Sequence, residues 1–485
     1  MKIIPQKIKN EAKILIENEF YKKCKDLLGN IMNDLLFDFS TNKCIKFTLN
    51  LISSINKIII DTLSYAIRIV DNLFLNSEER IKYFYINKKN VSRTIVGVWG
   101  SISFERTYYT DKNKQNGFYF IDELFGFEKY KTYDQIVRGL LINESVNTNV
   151  NKACNNSLNY NFDILNYFSS NALPNIPRQT IYNWIKNWNI PKVNYQPIAN
   201  KNVLYVMCDE KWIHEQIRKS KLNDEEKSKK HYIMSKCFVI FTGATVKNKR
   251  KKLLNKHVFI TSSKSPWKDL MDEICKIYDF EKIDTINLLS DAGTWILAGK
   301  SELKLYSHNQ IIVNTCEFHV KQKINRMTSD EELRKKFCEI IYNDTDKSKF
   351  IQLTDDLIEA KPHRKAKLEE YKNYILKHWK SIINMKNCDI KSSMESHISH
   401  CVAEQFGSRP KGYSKNKIES YLKLREYKLN GINILDLYLK SSYQDSDFIY
   451  NEKEIDFSIF DKSTSLLPVV SSKYSSSLIL HNIAF

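Results

Sequence analysis

The chain holds 485 residues, 42% of them hydrophobic and 12% aromatic, with a formal net charge of +19. That balance excludes a disordered chain and a small disulfide-stapled domain, and the length leaves room for two to four domains. The excess of Lys and Arg favours a polyanionic partner, nucleic acid before others, though part of the Lys count matches the Asn- and Ile-rich usage of an AT-rich genome.

The start, Met1 to Lys7, lacks the apolar core of a signal peptide. Residues 8–85 place apolar side chains at helical spacing (Ile14, Leu15, Phe20; Leu35, Leu36; Ile58, Ile59, Leu63, Ala66, Ile67), which predicts three or four helices. The greasiest stretch, Leu49 to Val70, is interrupted by Asn56, Lys57, Asp61 and Arg68 and is too polar to span a bilayer, so no membrane partner is expected. Ten scattered cysteines without paired spacing imply reduced thiols and a cytoplasmic protein.

The period then changes. Thr94 to Tyr109 alternates and is broken by Gly97 and Gly100, the pattern of a small hairpin, and Phe118 to Phe120 adds a short strand. Helices return over 131–190. Their last member, Ile176-Pro177-Arg178-Gln179-Thr180-Ile181-Tyr182-Asn183-Trp184-Ile185, has Pro at its first turn and polar side chains ahead of an apolar stripe. A helix-turn-helix recognition helix has this form, with Arg178 and Gln179 placed to meet DNA; a packing helix can have it too.

Next comes a βββαβαβ succession: strands at 202–208, 232–241 and 256–262, a helix at 266–279, then strands at 284–290 and 311–315. Residues 320–386 read as helical and rich in Lys and Glu, and a last helix begins near Ser392. Residues 446–485 are Ser-rich with no nameable chemistry.

Two of these strands run apolar and stop on a carboxylate, at Asp209 and Asp291. Ligand sites in α/β sheets gather beyond the carboxyl ends of strands, and two carboxylates brought together there call for a cation between them. Glu395, at the edge of the last helix's apolar stripe, could complete an oxygen-lined site for two Mg²⁺ ions, Mn²⁺ being the alternative. Taken alone, an Asp after a strand is more often a turn or capping residue. Glu210 should point to the opposite side of the strand from Asp209, and Glu404 lies far along the last helix. Cys316-Glu317-Phe318-His319 is half a zinc site that His397, His400 and Cys401 could complete; His319 as a phosphate or water contact, or as a packed core residue, are the competing readings. Residues 211–256 hold fourteen Lys or Arg against four acidic residues, with runs at Lys227 to Lys230 (Lys229 and Lys230 among them) and at Lys249, Arg250, Lys251 and Lys252. Beside a metal edge, such loops suit a DNA backbone. Arg409 and Lys411, after the last helix, could add phosphate contacts.

The chain resembles a bacterial insertion-sequence DDE transposase of the ISLre type, related to the mutator-like enzymes, over roughly residues 60–440. The resemblance rests on the hairpin Gly100 to Tyr109, Thr180 to Trp184, Asp209-Glu210, Asp291 to Ile296, Phe318-His319, Glu395 to His400 and Ser408 to Gly412, in that order. It implies an α/β ribonuclease-H-like mixed-sheet core with a helical insertion, Asp209, Asp291 and Glu395 as the metal-binding triad, and Cys316 with His319 as a motif near the active site. The family usually has Gly flanking the second Asp, where Ser290 and Ala292 stand here, and often a further acidic residue where Lys211 stands. The implied organisation is an N-terminal helical region (1–90), a β-hairpin module (91–130), a helix-turn-helix-like DNA-binding region (131–195), a catalytic domain from 196–320 and 388–445, a helical insertion (321–387) and a tail (446–485). The implied function is binding of terminal inverted repeats as a homodimer or higher oligomer on double-stranded DNA, hydrolysis at the element ends, and transfer of the 3′ hydroxyls to target DNA. A nuclease of the same fold that cuts without joining, and an inactive transposase-derived DNA-binding protein, are the alternatives.

Overall fold

The computed structural model describes residues 6–37, 43–98, 100–112, 117–156, 176–198, 202–217, 229–247, 250–291, 293–306, 309–392 and 413–443, with single residues between them. Two long helices, Gln6–Phe37 and Lys43–Leu75, open the chain, and a short one, Glu78–Tyr83, follows. Ala66, Ile67, Val70 and Phe74 share one face of the second helix and are buried. They pack on a three-stranded sheet, β1 (Phe84–Gly97), β2 (Gly100–Asp111) and β3 (Gly117–Tyr119), where the Phe74 and Phe120 rings stack 3.8 Å apart. The hairpin expected at Thr94 to Tyr109 is therefore the end of a longer ribbon. Its start, at Phe84, was hidden because Tyr85 to Asn90 are mostly exposed and show no apolar alternation.

The main sheet is mixed and five-stranded: β4 (Val203–Glu215), β5 (His231–Phe241), β8 (His257–Thr261), β9 (Thr285–Ser290) and β10 (Gln310–Thr315), in the spatial order β10-β9-β4-β5-β8. β4 pairs antiparallel with β5 and β5 with β8, while β4, β9 and β10 run parallel. Counted within this sheet, the strand order is 3-2-1-4-5. A separate ribbon, β6 (Gly243–Lys247) with β7 (Arg250–Leu254), interrupts the passage from β5 to β8.

Alternation along the strands divides the core between two faces. Leu204, Val206 and Cys208 join Phe238, Ile240, Ile286 and Leu288 under the helix Pro266–Ile277, whose Trp267, Leu270, Met271 and Ile274 form its buried stripe. Tyr205 and Met207 join Val239, Phe241 and Leu289 on the other face, under the helices Gln135–Asn147, Arg178–Asn187 and Lys415–Leu429. Five helices over Glu317–Lys386 form the segment read as a helical insertion and carry their own core around Phe337, Phe350, Leu368 and Ile375.

Both outer strands are engaged. Ile260 N–H of β8 donates to Glu426 Oε2 at 2.9 Å and Val258 N–H to Asn430 Oδ1 at 2.7 Å. On β10, Val313 accepts from Asn384 Nδ2 at 3.1 Å, which lays the helix Trp379–Lys386 against that edge. Among the described residues, no helix is long and apolar enough to cross a membrane.

Candidate functional site

β4 and β9 pair with one constant offset, from Val203 opposite Thr285 to Met207 opposite Leu289. Two steps further along that register, Asp209 stands level with Asp291. Both have the strand parity of Met207 and Leu289, so the alternation assigns them to the same face of the sheet. β10 extends the row: Thr315 is opposite Ser290, so Cys316 comes level with Asp291, and its N–H donates to Ser290 O at 2.7 Å. One end of three parallel strands thus collects two carboxylates and a thiol.

Local hydrogen bonds set the two aspartates. Asp291 Oδ1 accepts Gly293 N–H at 3.0 Å, turning the chain into the helix Thr294–Tyr306, and Asp209 Oδ1 accepts Glu210 N–H at 2.7 Å. Glu210 occupies the opposite face, as its position in the alternation requires, where its Oε2 accepts the Trp295 indole N–H at 2.5 Å. Burial pushes the Cys208 thiol well above its ordinary pKa, and the charges of Asp291, Asp209 and Glu210 add to the rise. Three carboxylates acting on one buried thiol mark a concentration of negative charge at the centre of the sheet's end.

The inserted helices reach this point. Tyr374 Oη donates to the Asp291 carbonyl at 2.7 Å, and His378, buried beside it with ring centroids 4.8 Å apart, completes that wall. Burial pushes His378 below its ordinary value, Lys377 pushes the same way, and Asp291 partly opposes them. Neither residue carries a local sequence signal for this placement, Tyr374 lying 83 residues from Asp291 along the chain. Burial works to raise the Cys316 thiol, but hydrogen bonding with the His319 side chain and with the backbone N–H groups of Phe318 and His319 outweighs it, and the thiol ends below its ordinary value. Cys316 and His319 therefore work as a pair.

Glu395, His397, His400, Cys401, Glu404, Arg409 and Lys411 lie outside the described residues, as do Lys227 and Lys249. Met394, Val402 and Phe406, which bracket Glu395, are buried in the core on the face that carries Asp209. Among the described residues no group of three His, Cys, Asp or Glu side chains is placed to hold a metal ion. The two level carboxylates offer hard oxygen donors of the type Mg²⁺ accepts alongside water, so they fit a divalent ion as two of its ligands.

The basic runs separate. β4 and β5 are antiparallel neighbours, so the connection carrying Lys229 and Lys230, both exposed, leaves from the end beyond Asp209. The β6/β7 ribbon that contains Arg250, Lys251 and the exposed Lys252 leaves from the opposite end, after Phe241. The expectation that both runs adjoin the carboxylate edge is corrected on this point: successive hairpin connections alternate between the two ends of a sheet. Arg178 and Gln179 are exposed at the start of their helix, Arg178 donating to Asn151 Oδ1 at 3.0 Å, while Ile181 and Ile185 are buried. A helix-turn-helix partner would draw on 157–175, which lie outside the described residues.

The model of an uncharacterised protein family, UPF0236, matches residues 45–440. A UPF0236 protein of Caldanaerobacter subterraneus subsp. tengcongensis is 26% identical over 373 residues, covering 75% of this chain and 73% of its own length. A second from that organism is 27% identical over 373 residues, covering 75% and 69%. A third, 26% identical with 75% and 73% coverage, bears a name that joins eleven locus labels. Among solved structures, a chain of the Drosophila P element transposase strand transfer complex is similar at 11% identity over 66% of this chain and 84% of that one; its TM-score of 0.23 is too low to carry an argument.

Proposed function

The chain belongs to the uncharacterised UPF0236 family, and from the geometry of its own site we propose that it is a DDE transposase with a ribonuclease-H-like core. The observation that carries this reading is the register that brings Asp209 and Asp291 level on neighbouring parallel strands of a 3-2-1-4-5 sheet. The eleven loci joined in one relative's name support it independently, since one protein encoded at many places in a genome is the pattern that a mobile element leaves.

Asp209 and Asp291 would hold Mg²⁺ or Mn²⁺, with Glu395 as the third carboxylate. When bound, the divalent ions neutralise the phosphate charge and favour deprotonation of the attacking water or 3′ hydroxyl. The protein's own part is positional. Tyr374 fixes the backbone of Asp291, Gly293 N–H orients its carboxylate, and the Cys316–His319 pair closes the β10 side of the site. Lys229 and Lys230 receive the DNA backbone where it passes beyond Asp209. Hydrolysis at an element end and joining to target DNA are both in-line attacks at phosphorus, so one site serves both steps.

The test is a nicking and joining assay with the purified full chain, labelled DNA carrying the element's terminal inverted repeats, and Mg²⁺. The reading expects nicked and joined products that disappear in Asp209→Asn and Asp291→Asn. Nicking without joined product would favour a nuclease. DNA binding without either, in a folded chain, would favour an inactive DNA-binding derivative.

A further inference from the structure

Beyond Asp209 the main sheet narrows to a ribbon of β4 and β5. β9 stops pairing with β4 at Leu289 opposite Met207, and β8 stops pairing with β5 at Thr261 opposite Lys236. Among the described residues, Lys211 to Glu215 of β4 pair with β5, from His231 to Ser235, and an isolated bridge joins Glu215 to Tyr413. The two faces of this ribbon differ. The face continuing from Asp209 is held down: Ile213 is buried, and Tyr413 exchanges backbone hydrogen bonds with His214 and Gln216. The opposite face carries Trp212, His214 and Tyr232. The pairing of Trp212 with Met234 and of His214 with Tyr232 puts all three on one side. Trp212 is 57% and Tyr232 47% exposed, and the His214 and Tyr232 rings meet edge to face at 5.5 Å.

A single exposed aromatic is ordinary. Three adjacent rings on an open ribbon, bordered by the exposed Lys229 and Lys230, combine π-faces with positive charge. Trp212 lies three residues along the strand from Asp209, about 10 Å at the usual rise. The rings face the side of the ribbon away from Asp209, so a strand bound at the carboxylates reaches them by passing over the edge of β4 that β9 leaves at Met207.

We infer that Trp212 and Tyr232 form a stacking platform for unpaired DNA bases next to the cleavage site, with Lys229 and Lys230 holding the adjoining phosphates. The inference rests on the transposase reading for its substrate, deepens it, and can fail separately from it. Stacking on an aromatic face needs a base freed from its pair, so the platform distinguishes unpaired from duplex DNA, whereas lysine contacts to phosphate do not.

The experiment measures fluorescence anisotropy of the full chain with a labelled single strand of about 20 nucleotides, a length spanning several stacked bases. The same sequence as a blunt duplex is measured in parallel, both in EDTA so that no cleavage intervenes. Trp212→Ala is expected to weaken single-strand binding about tenfold or more, to change duplex binding less than about twofold, and to leave the salt dependence unchanged. Trp212→Phe should retain most of the affinity. The Lys229→Ala, Lys230→Ala double variant should weaken both DNAs and flatten the salt dependence. Equal loss on both DNAs in Trp212→Ala, no loss on either, or a change of oligomeric state on sedimentation (the mark of a self-association surface) would overturn the platform. Selective single-strand loss in a chain that never nicks DNA would uphold it while removing the transposase reading; nicking with no effect of Trp212 does the reverse.

Discussion

Tyr374 and Asp291, from segments 83 residues apart, are joined by a 2.7 Å hydrogen bond from the phenol to the aspartate's backbone carbonyl. The inserted helices are thereby part of the site. Tyr374→Phe keeps the ring and removes the donor, at a cost of about 1 kcal/mol in stability. The larger effect is expected on catalysis: metal-dependent nicking should fall through kcat while DNA affinity holds. A loss confined to affinity would mean that the bond does not position Asp291.

Asp209 and Asp291 stand level on the same face, where two carboxylates repel each other. Asp209→Asn or Asp291→Asn should therefore raise the melting temperature of the metal-free protein by a few degrees, corresponding to about 1 kcal/mol of relieved repulsion. Mg²⁺ should raise the melting temperature of the wild-type chain and do so far less in either variant. Calorimetry with and without Mg²⁺ checks both halves; equal Mg²⁺ stabilisation in the variants would remove these carboxylates as ligands.

Gly299 backs directly onto the buried Trp267 ring, where a Cβ would lie 2.1 Å from Cε2. Gly299→Ala is expected to destabilise by about 1–3 kcal/mol despite the better helix propensity of Ala, because the indole has no room to retreat. Urea unfolding measures this, and adding Trp267→Leu should recover part of the loss.

Glu426 is fully buried, and its carboxyl is pushed up chiefly by that burial, with Lys423 and Ile260 N–H opposing. A folded-state value above the unfolded one contributes stability at acid pH, and that contribution is lost as pH rises from about 4.5 through the folded value. Glu426→Gln keeps an acceptor for Ile260 N–H without the titration. Its stability relative to the wild type should thus increase with pH through that range and level off above it. Glu426→Leu orphans the N–H and should cost about 1–3 kcal/mol across the range. Urea midpoints measured between acid and neutral pH separate the two variants.

The strands at 284–290 and 311–315 were legible to within one residue because buried parallel strands are short apolar runs closed by polar residues. The same rule ended β4 too early. It stops at the first carboxylate, whereas Lys211 to Glu215 continue as a ribbon whose backbone bonds to β5 need no apolar run. The β6/β7 ribbon has the sequence of a charged loop for the same reason: ladder hydrogen bonds carry no side-chain signature. The aspartate pair could be found from each strand's ending, but not the level at which the strands meet. Contacts such as Tyr374 with Asp291, and His378 beside them, depend on how the inserted helices dock, which no local pattern encodes.

The side-chain closure of β8 by Glu426 and Asn430 bears on how the protein behaves when it is concentrated. An open outer strand invites a neighbouring chain to add to it and seeds irreversible clumping. With the N–H groups of Val258 and Ile260 already taken from within the chain, crowded copies find those two ladder positions closed. Loosening this closure should show first as aggregation at high expression, before any loss of helical and sheet structure.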